Sequence, residues 1–329
     1  MKHLTILIPD AQAAPSTVSC IVGAHQVFTC ANNYWQATDR NPLFRIETAG
    51  VSHESAFLDG LLTVKPQAHI ASISRTDLIL IPSLTIDFKK AAAGNILLTD
   101  WIREQYKMGA EVASMCTGAY MLASTGLLHK KNCSIHWNAA ENFKDLFPGV
   151  HLKTEKLITD EEGIYTNGGG FSFLNLLLYL VEKYYDRPTA IYCSKILQVE
   201  IDRHTQSAFT IFTGQKSHGD EVIKKAQIYI EEHFEEKISF EELSKKLAVG
   251  RRNFDRRFIK ATNNTPVEYL QRVKIESAKK AFETTRKTIN EVMYEVGYSD
   301  TKAFREVFRK ITGLSPMEYK LKYNKETVV

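Results

Sequence analysis

The chain lacks an apolar run long enough to cross a membrane. Its longest, Phe171–Val181, is broken by Ser172 and Asn175, well short of the roughly 20 residues a span needs. It also lacks the opening of a secretory leader. Lys2-His3 leads straight into Leu4–Ile8 and then Pro9, which reads as a first strand because no longer apolar region or small-residue cleavage site follows. Five cysteines, Cys20, Cys30, Cys116, Cys133 and Cys193, show neither metal-ligand nor disulfide spacing. That excludes a zinc module or a disulfide scaffold and predicts reduced thiols in a cytoplasmic protein with no metal and no cofactor.

At 329 residues, the chain is too long for one ordinary core, so two domains are expected. A composition of 44% hydrophobic and 24% charged residues fits a soluble globular protein. The net charge of +4 is modest, and its distribution says more. From Asp220 onward 23 lysines and arginines stand against 18 acidic residues, whereas residues 1–219 hold 19 and 20. The positive excess therefore sits in the last third, where a polyanion-binding module would need it.

The polar stretch Thr213-Gly-Gln-Lys-Ser-His-Gly219 predicts a linker, with domains at 1–212 and 220–329. Before it, Leu4–Ile8, Phe44–Thr48, Leu78–Ile81, Glu111–Met115 and Ile164–Thr166 read as strands. Asn95–Lys107, Thr117–Ser124 and Phe173–Tyr184 read as helices. Strands alternating with helices predict a parallel α/β sheet. After the linker only helical periodicity remains.

That last third repeats itself. Asn253–Tyr269 and Ala303–Tyr319 align at an offset of 50. Phe254/Phe304, Phe258/Phe308, Lys260/Lys310, Thr262/Thr312, Pro266/Pro316, Glu268/Glu318 and Tyr269/Tyr319 are identical. An amphipathic helix precedes each copy, Phe240–Ala248 and Ile289–Val296, followed by a turn at Val249-Gly250 or Gly297-Tyr298-Ser299. Helix, glycine-containing turn and helix make a helix-turn-helix. In the second helix of each copy the phenylalanines share the face expected in the core. Arg251, Arg252, Asp255 and Arg256 occupy the other face of the first copy. Asp300, Thr301, Lys302, Arg305 and Arg309 do so in the second. Such residues at the start of a recognition helix enter the major groove of double-stranded DNA, where Arg can bond guanine edges and the remaining cations hold phosphates. A solvated basic face is the bland alternative, and two phased copies argue against it. Pro266 should open a long helix to about Thr284 that joins the two copies and fixes their spacing.

With these residues in place, Glu221–Tyr323 resembles the DNA-binding domain of the AraC family. The pattern is carried by Arg252, Phe254 and Phe258, then by Gly297, Tyr298, Asp300, Phe304, Phe308, Gly313, Ser315, Pro316 and Tyr319. One departure is Gly250, where the family often has a serine cap. The resemblance implies a transcription regulator, with RNA polymerase as a further partner.

In the first domain, Ser114-Met-Cys116-Thr-Gly118 follows a strand and opens a helix, the setting of a nucleophile elbow. Ser134-Ile-His136-Trp137 follows twenty residues later. Cys116 with His136 could form a thiolate and its base, or a half-buried cysteine beside a structural histidine. Cys116, Gly118, His136-Trp137, the turn Thr166-Asn-Gly-Gly-Gly-Phe-Ser172 and Arg203-His-Thr-Gln-Ser207 resemble the PfpI-like branch of the class I glutamine amidotransferase-like superfamily. The resemblance spans about Lys2–Ile211. It implies a flavodoxin-like α/β sandwich ahead of the all-α double helix-turn-helix domain, and commonly a homodimer.

Two departures weaken the catalytic reading. Only Asp10 could serve as the acid that orients the cysteine, and Pro82-Ser83-Leu84 stands where relatives carry the Pro-Gly-Gly loop that supplies oxyanion-hole amides. The preferred expectation is no enzyme, and a small-molecule effector in a pocket around Cys116, Thr117, His136 and Ser83. The alternatives are a Cys-dependent hydrolase or glyoxalase-like enzyme using Cys116, His136 and Asp10, or a redox sensor at Cys116.

Overall fold

A computed structural model describes residues 1–10, 15–58, 60–85 and 95–324. The chain divides into two compact units, Met1–Gln206 and Ser207–Val329.

Among the described residues the first unit is built on eleven strands: β1 (Lys2–Leu7), β2 (Phe44–Gly50), β3 (Ser55–Phe57), β4 (Leu62–Val64), β5 (Ala68–His69), β6 (Leu78–Ile81), β7 (Glu111–Ser114), β8 (Asn132–Cys133), β9 (His151–Leu152), β10 (Ile158–Glu161) and β11 (Ile164–Asn167). Among the described residues six α-helices accompany them: α1 (Pro15–Gln36), α2 (Ile96–Lys107), α3 (Ala119–Ser124), α4 (Ala140–Leu146), α5 (Phe173–Tyr184) and α6 (Arg187–Leu197). The main sheet has the order β10-β11-β7-β6-β1-β2-β5. Its pairs are parallel except β10 with β11.

Each central strand is buried on both faces, as a parallel sheet requires. Side chains alternate between two cores because strand residues point to opposite faces in turn. Leu4, Ile6, Leu78, Leu80 and Ala113 enter one core with α1, α5 and α6. Leu7, Ile79, Ile81 and Val112 enter the other with α2, α3 and α4. The result is the three-layer α/β sandwich that the alternation of elements implied.

The second unit is all-helical among its described residues: α7 (Glu221–Glu232), α8 (Phe240–Lys246), α9 (Arg251–Thr262), α10 (Pro266–Thr284), α11 (Ile289–Glu295), α12 (Thr301–Thr312) and α13 (Pro316–Tyr323), besides a single 3-10 turn at Ser207–Phe209. It holds two cores. Ile223, Ile230, Leu243, Phe254, Phe258 and Tyr269 form the first. Ile275, Phe282, Val292, Phe304, Phe308 and Tyr319 form the second. Helix α10 serves both, with Tyr269 at its start and Ile275, Ala278 and Phe282 further on.

The boundary differs from the one expected at residue 212. Residues 213–219, polar enough to suggest a linker, are docked on the helices that follow. Lys216 pairs with Glu231 at 2.6 Å, Gln227 donates to the Gln215 carbonyl at 2.7 Å, and His218 shares a hydrogen bond of 2.9 Å with Gln227. Composition reports polarity, and here Gln215, Lys216 and His218 find partners within the fold.

Candidate nucleic-acid interface and the cysteine elbow

The repeat in the sequence is a repeat in geometry. Rings of Phe254 and Phe258 lie 5.7 Å apart, and those of Phe304 and Phe308 lie 5.8 Å apart. Phe258 meets Tyr269 edge-on at 5.4 Å and 82°, and Phe308 meets Tyr319 at 5.5 Å and 80°. Thr262 donates to the Phe258 carbonyl at 2.8 Å and accepts from the Asn264 amide at 3.2 Å. Thr312 does the same with Phe308 and Leu314 at the same distances. These buried hydroxyls tie off the C-terminal ends of α9 and α12, whose last carbonyls have no partner within the helix. Reciprocal capping boxes then start the next helices, Thr265 with Glu268 for α10 and Ser315 with Glu318 for α13.

With the phenylalanines buried, the opposite faces of α9 and α12 point to solvent. Arg252 and Arg256 are exposed on α9, as are Lys302, Arg305 and Arg309 on α12. Arg256 donates to Asn253 Oδ1 at 3.0 Å. Arg252, Lys302 and Arg305 make no hydrogen bond or ion pair among the described residues. The four other residues expected on this face are less available. Arg251 Nε donates to both oxygens of Asp255, at 3.0 and 2.9 Å, so the two neutralise one another. Asp300 caps α12 by accepting from the Ala303 amide at 2.7 Å, and Thr301 is half-buried.

The turns differ from the expected pattern in one respect. In the second unit Gly297 is left-handed, at φ +73°. In the first the left-handed residue is Ala248, at φ +55°, and Gly250 is the extended cap of α9. A Cβ on Gly297 would lie 2.1 Å from the Glu235 carbonyl oxygen, so glycine is required there by contact as well as by φ.

Two cations were not singled out by the sequence. Arg257 clamps Asp220, the cap of α7, with bonds of 2.8 and 2.6 Å; the guanidinium holds the carboxyl below its usual range. Lys274 is buried on α10, donates to the Gly297 carbonyl at 3.0 Å and lies 5.2 Å from the Tyr298 ring centre. Burial lowers its pKa. Arg257 is separated from its partner by 37 residues, and Lys274 falls within an apolar helical pattern, so no local signal marks either.

In the N-terminal unit the elbow is present. Cys116 follows β7 at φ +55°, an unusual conformation for a side-chain-bearing residue. A Cβ on Gly118 would lie 2.5 Å from the Pro82 carbonyl oxygen, which explains the glycine two residues on. The thiol is buried, and burial raises its pKa; backbone hydrogen bonds from Gly170 and Thr117 oppose this only in part. Burial also lowers the pKa of His136, whose Nδ1 accepts from the Asn138 amide at 3.1 Å. Both shifts favour neutral groups, the reverse of a thiolate–imidazolium pair. No hydrogen bond joins the two. The glycine turn meets both, with Gly170 bonded to Cys116 and Gly169 packed on the His136 ring.

The remaining expected members of this site are engaged elsewhere. Asp10 accepts from the Ser52 amide at 3.3 Å and from Ser55 Oγ at 3.4 Å. Residues 11–14, between Asp10 and Pro15, lie outside the described residues. Ser83 is buried, donates to Ser16 Oγ at 2.8 Å and accepts from Cys20 Sγ at 3.7 Å. Thr117 Oγ1 donates to the Leu84 carbonyl at 2.6 Å and accepts from its amide at 3.0 Å. The Leu84 amide is thereby consumed, where an oxyanion hole would need a free donor.

An α/β unit of this topology followed by two helix-turn-helix units joined through one helix defines a two-domain protein with a helix-turn-helix module. A family model described as "Helix-turn-helix domain" matches residues 243–322. The chain is 25% identical over 219 residues to the HTH-type transcriptional regulator GbdR of Pseudomonas aeruginosa, a match covering 66% of this chain and 59% of that protein. The chain thus spans only about three-fifths of that relative's length. The first unit's fold is shared with a putative transcriptional regulator protein from Vibrio parahaemolyticus, at TM-score 0.53 and 22% identity over 60% of this chain and 98% of that one. A THiJ/PfpI family protein from Pseudomonas syringae matches at TM-score 0.50 and 18% identity, over 75% and 88% of the two chains. The chain carries a helix-turn-helix domain over residues 243–322, behind an N-terminal unit that shares the fold of the THiJ/PfpI family protein.

Proposed function

We propose that this chain is a sequence-specific DNA-binding transcription regulator that acts in the cytoplasm. The observation that carries this reading is the pair of equivalently built helix-turn-helix units, each presenting exposed cations on the helix opposite its phenylalanine core. Helix α10 spans both cores, which suits simultaneous entry into successive major grooves about 34 Å apart. The base-reading residues are Arg252 and Arg256 in the first unit and Lys302 and Arg305 in the second, with Thr301 at the start of α12 and Arg309 on the phosphate backbone. The Arg251–Asp255 pair shapes the rim of α9, and Asp300 positions α12 rather than touching a base.

The N-terminal unit binds a small-molecule effector beside Cys116 and His136, and it carries the homodimer contact. RNA polymerase is the further partner of such a regulator. The neutral thiol, the neutral imidazole, the engaged Asp10 and the consumed Leu84 amide all favour a sensor over a hydrolase.

Footprinting on genomic fragments tests the proposal. Protection should cover two adjacent major grooves at physiological salt, with affinity at least about a thousandfold above non-specific binding. Binding that stays at the non-specific level would sink it.

A further inference from the structure

Helices α1 and α6 pack in antiparallel register on one face of the N-terminal unit. Arg40, just past α1, pairs with Asp186 at 2.8 Å. Trp35 Nε1 donates to Thr189 Oγ1 at 3.0 Å. Tyr34 stacks on Tyr192 with ring centres 4.4 Å apart. One turn further down α1 comes Cys30, and the next residue of α6 is Cys193. The register therefore sets the two thiols on facing sides of the two helices, with Cys30 packed against the core that holds Cys193.

The two sulfurs differ in access. Cys30 is half-buried and lines a cleft of about 680 Å³, together with Val22, His25, Tyr192 and Ile196. Cys193 lies beneath it, with no exposed surface. We propose that Cys30 and Cys193 form an oxidisable dithiol, a modification site for hydroperoxides that closes to a disulfide between α1 and α6. The site is separate from the Cys116 elbow, and it stands whether or not the chain binds DNA.

The chemistry balances without any other reactant. Cys30 gives its proton to water, and its sulfur attacks one oxygen of the hydroperoxide. The O–O bond breaks, the second oxygen leaves as alcohol or water on taking up a proton, and Cys30 becomes a sulfenic acid. Cys193 then attacks the Cys30 sulfur, the S–O bond breaks, and the oxygen departs as water with the Cys193 proton. Two electrons pass from the thiols to the peroxide. Burial and the neighbouring Cys30 sulfur raise the Cys193 pKa, so Cys193 stays a thiol until the sulfenic acid forms beside it. That order makes Cys30 the attacking residue and Cys193 the resolving one.

The test is peroxide titration of the full chain, followed by alkylation, thiol counting and peptide mapping. The free-thiol count should fall from the five of the sequence to three, with loss of the mass of two hydrogens. The new linked peptide should join Cys30 to Cys193 and disappear on reduction. Cys116→Ser should form the same link at an unchanged rate, and Cys193→Ser should stop at a Cys30 sulfenic acid. Persistent alkylation of Cys30 after peroxide would overturn the proposal. So would a sulfenic acid on wild-type Cys30 that never resolves, or a link through Cys20 or Cys116. The wild-type measurement alone decides the matter if a variant fails to fold.

Discussion

At the scale of single residues, the two turns carry opposite stresses in equivalent positions. Ala248 holds φ +55° where its counterpart Gly297 holds +73°. A left-handed residue with a Cβ costs about 1–2 kcal/mol, and glycine's greater freedom in the unfolded chain returns roughly 0.5–1 kcal/mol of that. Ala248→Gly should therefore stabilise the protein by about 0.5–1 kcal/mol in a urea titration. Gly297→Ala meets the same φ penalty and also the Glu235 carbonyl 2.1 Å away. Adding about 1–3 kcal/mol for overpacking, it should cost about 3 kcal/mol, read as a lower midpoint at unchanged slope. Equal and small effects at both positions would contradict the strain assigned to Ala248 and the close contact assigned to Gly297. The sequence pointed to glycine at both turns, yet Gly250 is an extended cap and the strained residue is an alanine. Glycine marks where the chain is free to turn left, and an alanine held there by its neighbours leaves no such mark.

At the scale of elements, the parts with self-contained signals were visible in advance. The start of α10 at Pro266 and its end near Thr284 were readable from a proline and apolar spacing. The phenylalanine faces and the strand Leu78–Ile81 were readable for similar reasons. Helix α1 was not. Its 22 residues mix Thr17, Val18, Ile21, Val27 and Thr29 with alanine and cysteine, so no narrow apolar stripe emerges. Wedged between the sheet on one side and α6 beside it, it draws its stability from tertiary packing more than from propensity. Short strands such as β5 and β8 are two residues each and exist only through their partners. The conserved geometry of the two helix-turn-helix units gives an element-scale prediction. Thr262→Val and Thr312→Val each remove a buried hydroxyl and leave the amide of Asn264 or Leu314 unsatisfied. Each should cost about 1–2 kcal/mol. The two sites lie in separate cores, so the double variant should equal the sum within about 0.5 kcal/mol. A clear departure from additivity in chemical denaturation would mean that the two cores fold as one cooperative contact network at these positions.

At the scale of the whole molecule, the proposed function makes the two recognition helices separate readers on one support. Arg252 stands on α9 and Arg305 on α12, both exposed and both outside any ion pair among the described residues. Arg251 and Asp255, by contrast, neutralise each other, so proximity in sequence did not translate into equal availability for DNA. If Arg252 bonds a guanine edge, Arg252→Ala should cost about 1–3 kcal/mol of discrimination at one base pair of one half-site. Arg305→Ala should do the same in the other half-site, roughly one helical turn away. Arg309→Ala at a phosphate should weaken every sequence alike and lower the salt slope by about one unit. Binding to a library of single-base operator variants separates these outcomes, because each base-reading variant flattens the preference at its own position and leaves the other half-site's profile unchanged. Loss of preference across both half-sites from either single substitution would contradict independent reading. The helix that spans the two cores would then transmit the damage, and Lys274, buried on that helix and bonded to the Gly297 turn, would be the residue to examine next.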